Sequence, residues 1–202
     1  MTSRAKKPSR INGILIPAAI IVPMVVAYIM FYTGWGVPLM TINKGEFLSP
    51  PQQLTELRLA NGDTRLKEVF AEGAQKRWRI LLPVTADCSG ACADNLYLTR
   101  QVHIRLAQKA YRVERILVLL DEFSPQQREA LEKEHRTTLM IDSTQNDFTQ
   151  WLTPAGLTPE QALQQYYLVD QEGFAMMQYN NTHTGQELLD DVKKLLKFTY
   201  DN

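Results

Sequence analysis

The chain has two cysteines, Cys88 and Cys92, in the segment CSGAC. Positions i and i+4 of a helix share one face, with Cβ atoms about 5–6 Å apart. A modest adjustment brings such a pair to the roughly 3.5–4.5 Å that a disulfide requires. As thiolates, the same two sulfurs can grip one soft metal ion. A helix starting near Cys88 would favour its thiolate through the backbone dipole, and Gly90 allows a sharp turn there. Asp87 opposes this, because a neighbouring carboxylate disfavours a second negative charge. The plain alternative is a permanent disulfide around a tiny loop. Such a loop restrains the unfolded chain only a little, so stability alone is a weak reason to form it.

Particular elements must hold those cysteines. Trp78–Thr85 (WRILLPVT) is mostly apolar, the pattern of a strand buried on both faces. After the cysteines, Ala91–Ala110 places Leu96, Leu98, Val102, Leu106 and Ala110 as the core-facing stripe of a helix. Val113–Leu120 reads as a second buried strand, ending at Asp121. Ser124-Pro125 opens a helix to about His135, and Thr138–Ile141 is a third strand. Phe148–Leu152 and Pro159–Gln164 read as short helices. Tyr166–Asp170 and Phe174–Tyr179 form a hairpin around Gln171-Glu172-Gly173, and Thr184–Glu187 is a capping box for a last helix to about Phe198. Upstream, Leu54–Leu66 alternates around Asn61-Gly62-Asp63 and predicts a hairpin, with a short helix to Gln75. A cysteine pair between the first core strand and its helix, in this order of elements, specifies an α/β protein of thioredoxin-like fold.

The 22 basic and 22 acidic side chains cancel, which excludes a strongly basic nucleic-acid binder. A 45% hydrophobic composition excludes a disordered chain. The balance is uneven, however. Arg4, Lys6, Lys7 and Arg10 give the first ten residues a charge of +4, and no further charge appears until Lys44. Within that gap, Ile11–Tyr32 holds 22 residues with Asn12 as the one strongly polar side chain. A helix of that length spans ~33 Å, enough for a hydrocarbon core of ~30 Å. Pro17 and Pro23 are tolerated in a membrane span, and Tyr28, Tyr32 and Trp35 suit its interface. The expected organisation is a basic cytoplasmic tip over 1–10, a transmembrane helix over 11–32, a linker over 33–53 and a thioredoxin-like domain over 54–202. Positive-inside orientation exports that domain. In a bacterium it would hang from the inner membrane into the periplasm, where disulfides form. A cleaved signal fits less well: the apolar stretch exceeds the usual ~7–15 residues and no A-x-A site follows.

With these features the chain resembles the Sco/SenC family of membrane-anchored, thioredoxin-fold proteins that assist copper-site assembly in cytochrome c oxidase. The likeness covers about residues 1–200: the N-terminal span, GEFLSPPQQLTELRLANGDTRLKEVF, RILLPVTADCSGAC and YYLVDQEG. It implies that Cys88 and Cys92 bind copper as Cu(I) or cycle between dithiol and disulfide. It also implies a partner at the inner membrane, either a cytochrome c oxidase subunit or another thiol protein. Two positions depart from the family pattern. Ser89 stands where the family usually has Pro, and Thr158–Tyr166 (TPEQALQQY) lacks the His that serves there as third copper ligand.

Three histidines are present. His103 lies about three turns along the helix from Cys92, and His135 suits a favourable charge ending a surface helix. His183 follows the last strand, in a loop expected at the same sheet edge as the cysteines, and is the candidate replacement ligand. Met176 and Met177 alternate in a strand, so one of them faces the core. The missing His directs the reading toward thiol–disulfide exchange, with Cys88 attacking and Cys92 resolving, or weak Cu(I) binding by two thiolates. The rivals are a general thioredoxin-like reductase or peroxidase, and a non-catalytic oxidase interaction module with a closed disulfide.

Overall fold

The computed structural model describes residues 10–33 and 43–199, without the side chains of 10–16 and 18. The chain divides into two units, Met1–Ile42 and Asn43–Asn202. In the first, helix α1 (Arg10–Thr33) continues through Pro17 and Pro23. Ile20, Val22, Met24 and Phe31 are among its exposed apolar side chains. The expected anchor falls on α1, whose side chains are described only in part, and residues 1–9 of the basic tip and 34–42 of the linker lie outside the described residues. Among the described residues no helix is long and apolar enough to cross a membrane.

The second unit is built on β2 (Trp78–Val84), buried along its whole length, and β3 (Val113–Leu119), paired in parallel with Trp78 opposite Val113. Strand β4 (Thr138–Asp142) extends the parallel part, with Arg115 opposite Thr138. On the other side β5 (Tyr166–Val169), β6 (Phe174–Tyr179) and β1 (Glu46–Gln53) follow in antiparallel pairing. The sheet order is β1-β6-β5-β2-β3-β4. Successive strand residues face opposite sides, so a strand covered on both faces is mostly apolar along both. Ile80, Leu82 and Val84 enter one core with Leu117, Leu119 and side chains of α3 (Ala91–Arg105) and α7 (Gly185–Phe198). Leu81, Ile116 and Val118 enter the other, with Phe148 and Trp151 of α5 (Gln145–Leu152) and Ala162 of α6 (Pro159–Gln164).

Helix starts follow the capping residues. Ser124, Thr158 and Thr184 each complete a capping box, at α4 (Pro125–Glu134), α6 and α7. At α7 the Thr184 N–H and hydroxyl both donate to Glu187, which holds that carboxyl below its ordinary range. Asp191 of α7 is buried and fastens the start of the domain. Its Oδ2 accepts from the N–H groups of Lys44 and Gly45 at 2.8 and 3.0 Å, and from the Tyr179 hydroxyl at 3.0 Å. A Cβ on Gly45 would come within 2.6 Å of Cε1 of the Tyr179 ring.

Two sequence expectations need correction. Half of the expected linker is structure, since Glu46–Gln53 forms β1 and the domain begins at Asn43 rather than Leu54. The segment EFLSPPQQ hid the strand, because two prolines interrupt its pattern and the pairing register shifts between Phe47 and Gln52. Leu54–Leu66 forms no hairpin. Leu54–Glu56 and Ala60–Gly62 are 3-10 turns, followed by α2 (Arg65–Val69). The turn signal itself held, with Asn61 at φ 56° and Gly62 at φ 67°, but Leu54, Leu57 and Leu66 go into the second core instead of pairing as strands.

Candidate functional site

The cysteines sit where β2 gives way to α3. The Cys88 N–H donates to the Thr85 carbonyl at 3.1 Å, closing a turn just beyond the strand. Gly90 precedes α3 with φ 54°, a conformation that other residues adopt only under strain. No neighbour fills the space where its Cβ would lie, so the demand for glycine is conformational. Cys88 and Cys92 form a disulfide with Cα atoms 5.2 Å apart. Both are half-buried and rest against the first core.

Three other elements brace the segment leading into Cys88. The Ala86 N–H donates to Asp121 Oδ2 at 2.9 Å, and Gln127 Nε2 donates to the Ala86 carbonyl at 3.2 Å. Gln145 Nε2 donates to the other Asp121 oxygen at 2.8 Å. Asp121 follows β3, Gln127 is the third residue of α4 and Gln145 opens α5, so Ala86 is held at both its N–H and its carbonyl while α5 steadies Asp121. Sequence reasoning noted Asp121 only as the end of a strand. Its signal was position: an acidic residue just past a buried parallel strand lies at the carboxyl edge of the sheet, beside the end of β2.

Helix α3 is fixed from beneath by a buried polar network. Asn95 Nδ2 donates to the Gln164 carbonyl at 3.0 Å, tying the helix to α6. Arg115 of β3 donates to the Leu96 carbonyl at 3.1 Å and to Thr99 Oγ1 at 3.0 Å. Its other terminal nitrogen donates to His135 Nδ1 at 3.3 Å. Burial pulls the Arg115 guanidinium down to about 10. Burial first, and then the Arg115 charge, lowers His135 as well. The expected role of His135 is therefore corrected. It is buried and accepts a hydrogen bond as a neutral imidazole, instead of ending a surface helix as a cation.

The other histidines are engaged elsewhere. His103 Nε2 donates to the Val113 carbonyl at 2.8 Å. His183, the candidate third ligand, lies after β6 in a T-shaped contact with Tyr179. Its Nε2 donates to the Lys44 carbonyl at 3.1 Å, and its Nδ1 accepts from the Asn180 N–H at 3.2 Å. Both nitrogens thus serve the turn and the start of the domain. Met177 is buried in the first core, with Met176 packed against it from a half-buried position. The stretch Thr158–Gln165 supplies α6 and the final residue before β5, with no imidazole. Among the described residues no three His, Cys, Asp or Glu side chains gather where they could hold a metal ion. The donor set therefore does not fit a resident three-ligand copper site. What the turn offers is a disulfide or, once reduced, two sulfur donors.

The profile of a family described as transmembrane-like, thioredoxin-like, C-terminal domain matches residues 78–199. Among solved structures, yeast Sco1 with copper bound is 15% identical, with a TM-score of 0.50 over 62% of this chain and 82% of that one. A second structure of yeast Sco1 is 14% identical, with a TM-score of 0.51 over 63% of this chain and 84% of that one. No curated protein matches the sequence. The second unit thus has a Sco-like thioredoxin fold.

Proposed function

The chain belongs to the family described as transmembrane-like, thioredoxin-like, C-terminal domain, and from that premise we propose that it is a membrane-tethered thiol–disulfide exchange protein serving cytochrome c oxidase assembly. The observation that carries this reading is the disulfide of Cys88 and Cys92 at the strand-to-helix junction of a Sco-like fold. In this reading α1 anchors the chain in a bacterial inner membrane, its N-terminus stays in the cytoplasm, and the domain faces the periplasm.

The oxidised pair is the electron acceptor. A client thiolate attacks Cys88 Sγ, forming an intermolecular disulfide as the Cys88–Cys92 bond breaks. The client's second thiol then attacks that bond, leaving the client oxidised and the pair reduced by two electrons and two protons. Reversal of the same steps reduces a client disulfide through the Cys88 thiolate, with Cys92 as the resolving thiol. The reduced pair also offers two thiolates, the donor class that selects Cu(I), so copper enters as cargo.

The test is reduction of the full chain, followed by exchange with a dithiol peptide and Cu(I) titration. Exchange is expected to vanish in Cys88→Ser, and Cu(I) binding to need both cysteines. His183→Ala is expected to leave the copper affinity unchanged, and a large loss there would make His183 a ligand. The half-buried disulfide against the core favours one second reading, an interaction module whose disulfide stays closed. A potential below about −300 mV, with normal oxidase assembly in the Cys88→Ser/Cys92→Ser strain, would overturn exchange in its favour.

A further inference from the structure

Arg115, in the middle of β3, is 4% exposed and reaches the underside of α3. Its partners are a carbonyl, a hydroxyl and a neutral imidazole, so none of them carries a charge. Among the described residues it makes no ion pair, and its buried Nε has no hydrogen-bond partner. The strands on either side set Ile80 and Thr138 opposite it, again without charge. The nearest charged side chains, Arg100 and Glu134, pair with each other at 3.3 Å in contact with water. A buried cation lacking a counter-ion is less favourable than a packed apolar side chain of similar volume. Stability therefore does not account for Arg115.

An anion for it arises when the disulfide opens. As a client thiolate bonds to Cys88 Sγ, the electron pair of the broken bond stays on Cys92 Sγ, which leaves as a thiolate and later takes a proton from water. Cys92 is the second residue of α3, and the two residues of α3 that Arg115 contacts, Leu96 and Thr99, follow it by four and seven positions. Those spacings put all three on one face of the helix. Cys92 and Leu96 also rest in the same core. The guanidinium thus sits about two turns, roughly 10 Å, along the buried face from Cys92. At an effective dielectric of about 20, a unit charge at that distance changes an ionisation equilibrium roughly tenfold. Asp87 and Asp94 act against it beside the cysteines but are exposed, and Asp121 is occupied by Ala86 and Gln145.

Resting on the exchange reading above, we propose that Arg115 is a positioning residue for the leaving group, its charge beneath α3 holding Cys92 as a thiolate while a client opens the disulfide. A thiol that ionises more readily leaves faster. The test uses the full chain carrying Cys88→Ser, in which Cys92 is the sole cysteine, and follows its alkylation by iodoacetamide against pH. The midpoint is expected below the ordinary thiol value of about 8.5. Arg115→Gln should raise it by about one unit, and Arg115→Lys, which keeps the charge but not the fork of donors, should restore most of the difference. Thr99→Asp, which sets a carboxylate against the guanidinium, should raise it as well and gives the answer if the glutamine variant does not fold. In the chain with both cysteines, the rate at which a dithiol peptide opens the disulfide should follow the same order. An unmoved midpoint in Arg115→Gln or, where that variant does not fold, in Thr99→Asp would overturn the proposal. So would an Arg115→Lys midpoint as high as that of Arg115→Gln, which would make Arg115 only a tie for α3. A midpoint that depends on Arg115 in a chain that exchanges with no dithiol peptide refutes the exchange reading and keeps the charge effect. Normal exchange with a midpoint indifferent to Arg115 refutes the role of Arg115 alone.

Discussion

The turn that carries the cysteines and the stretch where the chain joins the sheet are held by opposite means. Lys44 and Gly45 are fastened by a buried carboxylate, Asp191, with a tyrosine ring pressed against the glycine. Ala86, two residues before Cys88, is gripped by Asp121 and Gln127, side chains that water also reaches. Hydrogen bonds that compete with water contribute little each and can be remade, whereas a buried acceptor cannot be withdrawn without stranding its donors. The start of the domain is built to stay fixed. The cysteine turn is held by contacts that can be remade.

That contrast can be broken in four places. Asp191→Ala should have the largest effect, because it strands two N–H groups and a hydroxyl, and a loss of about 3–5 kcal/mol is expected from chemical denaturation. A loss under about 1 kcal/mol would mean that the clamp is not a fastening. Gly45→Ala should cost about 1–3 kcal/mol through its clash with Tyr179, and pairing it with Tyr179→Phe would leave that clash in place. Asp121→Ala should cost only about 1 kcal/mol in stability. It should nevertheless raise the potential of the cysteine pair by roughly 10–30 mV, since removing a carboxylate beside the turn favours the thiolate form. An unchanged potential would make Asp121 a brace only.

The smallest effect concerns His135 and shows itself only in acid. Its folded value lies below the ordinary 6.5, through burial and the adjacent Arg115 charge, so the unfolded chain binds the extra proton more readily. Stability should therefore fall as pH drops below about 6.5 and level off once the folded imidazole also titrates. The Arg100 guanidinium and Glu134 carboxylate, 3.3 Å apart, are the other charges facing this site. His135→Gln should flatten the acid limb relative to wild type, and an unchanged limb would place its origin elsewhere.

Legibility in the sequence followed how strongly each segment is constrained by its own residues. The runs WRILLPVT and VERILVLL read as strands because both faces of β2 and β3 are covered, so apolar residues predominate on each. Ser124 and Thr184 marked helix starts because capping is local chemistry. Strand β1 was illegible because its partner, β6, lies more than a hundred residues away and its own residues include two adjacent prolines. The cysteine pair was legible by spacing, and its position after β2 by hydrophobic pattern. The braces from Asp121, Gln127 and Gln145 were not, since only the folded sheet brings these three side chains together beside Ala86. The role of His135 was misjudged for a related reason. Nothing near it in the chain announces that Arg115, twenty residues earlier, will meet its ring.

Strand β1 has one more consequence, for chains crowded side by side. It is the outermost strand of the sheet, and Pro50 and Pro51 interrupt the ladder of N–H groups along it. The opposite border, β4, is only five residues long. A six-stranded sheet with one border interrupted and the other cut short gives a neighbouring copy little to template on. Molecules of this kind can stand close together without fusing their sheets into fibrils.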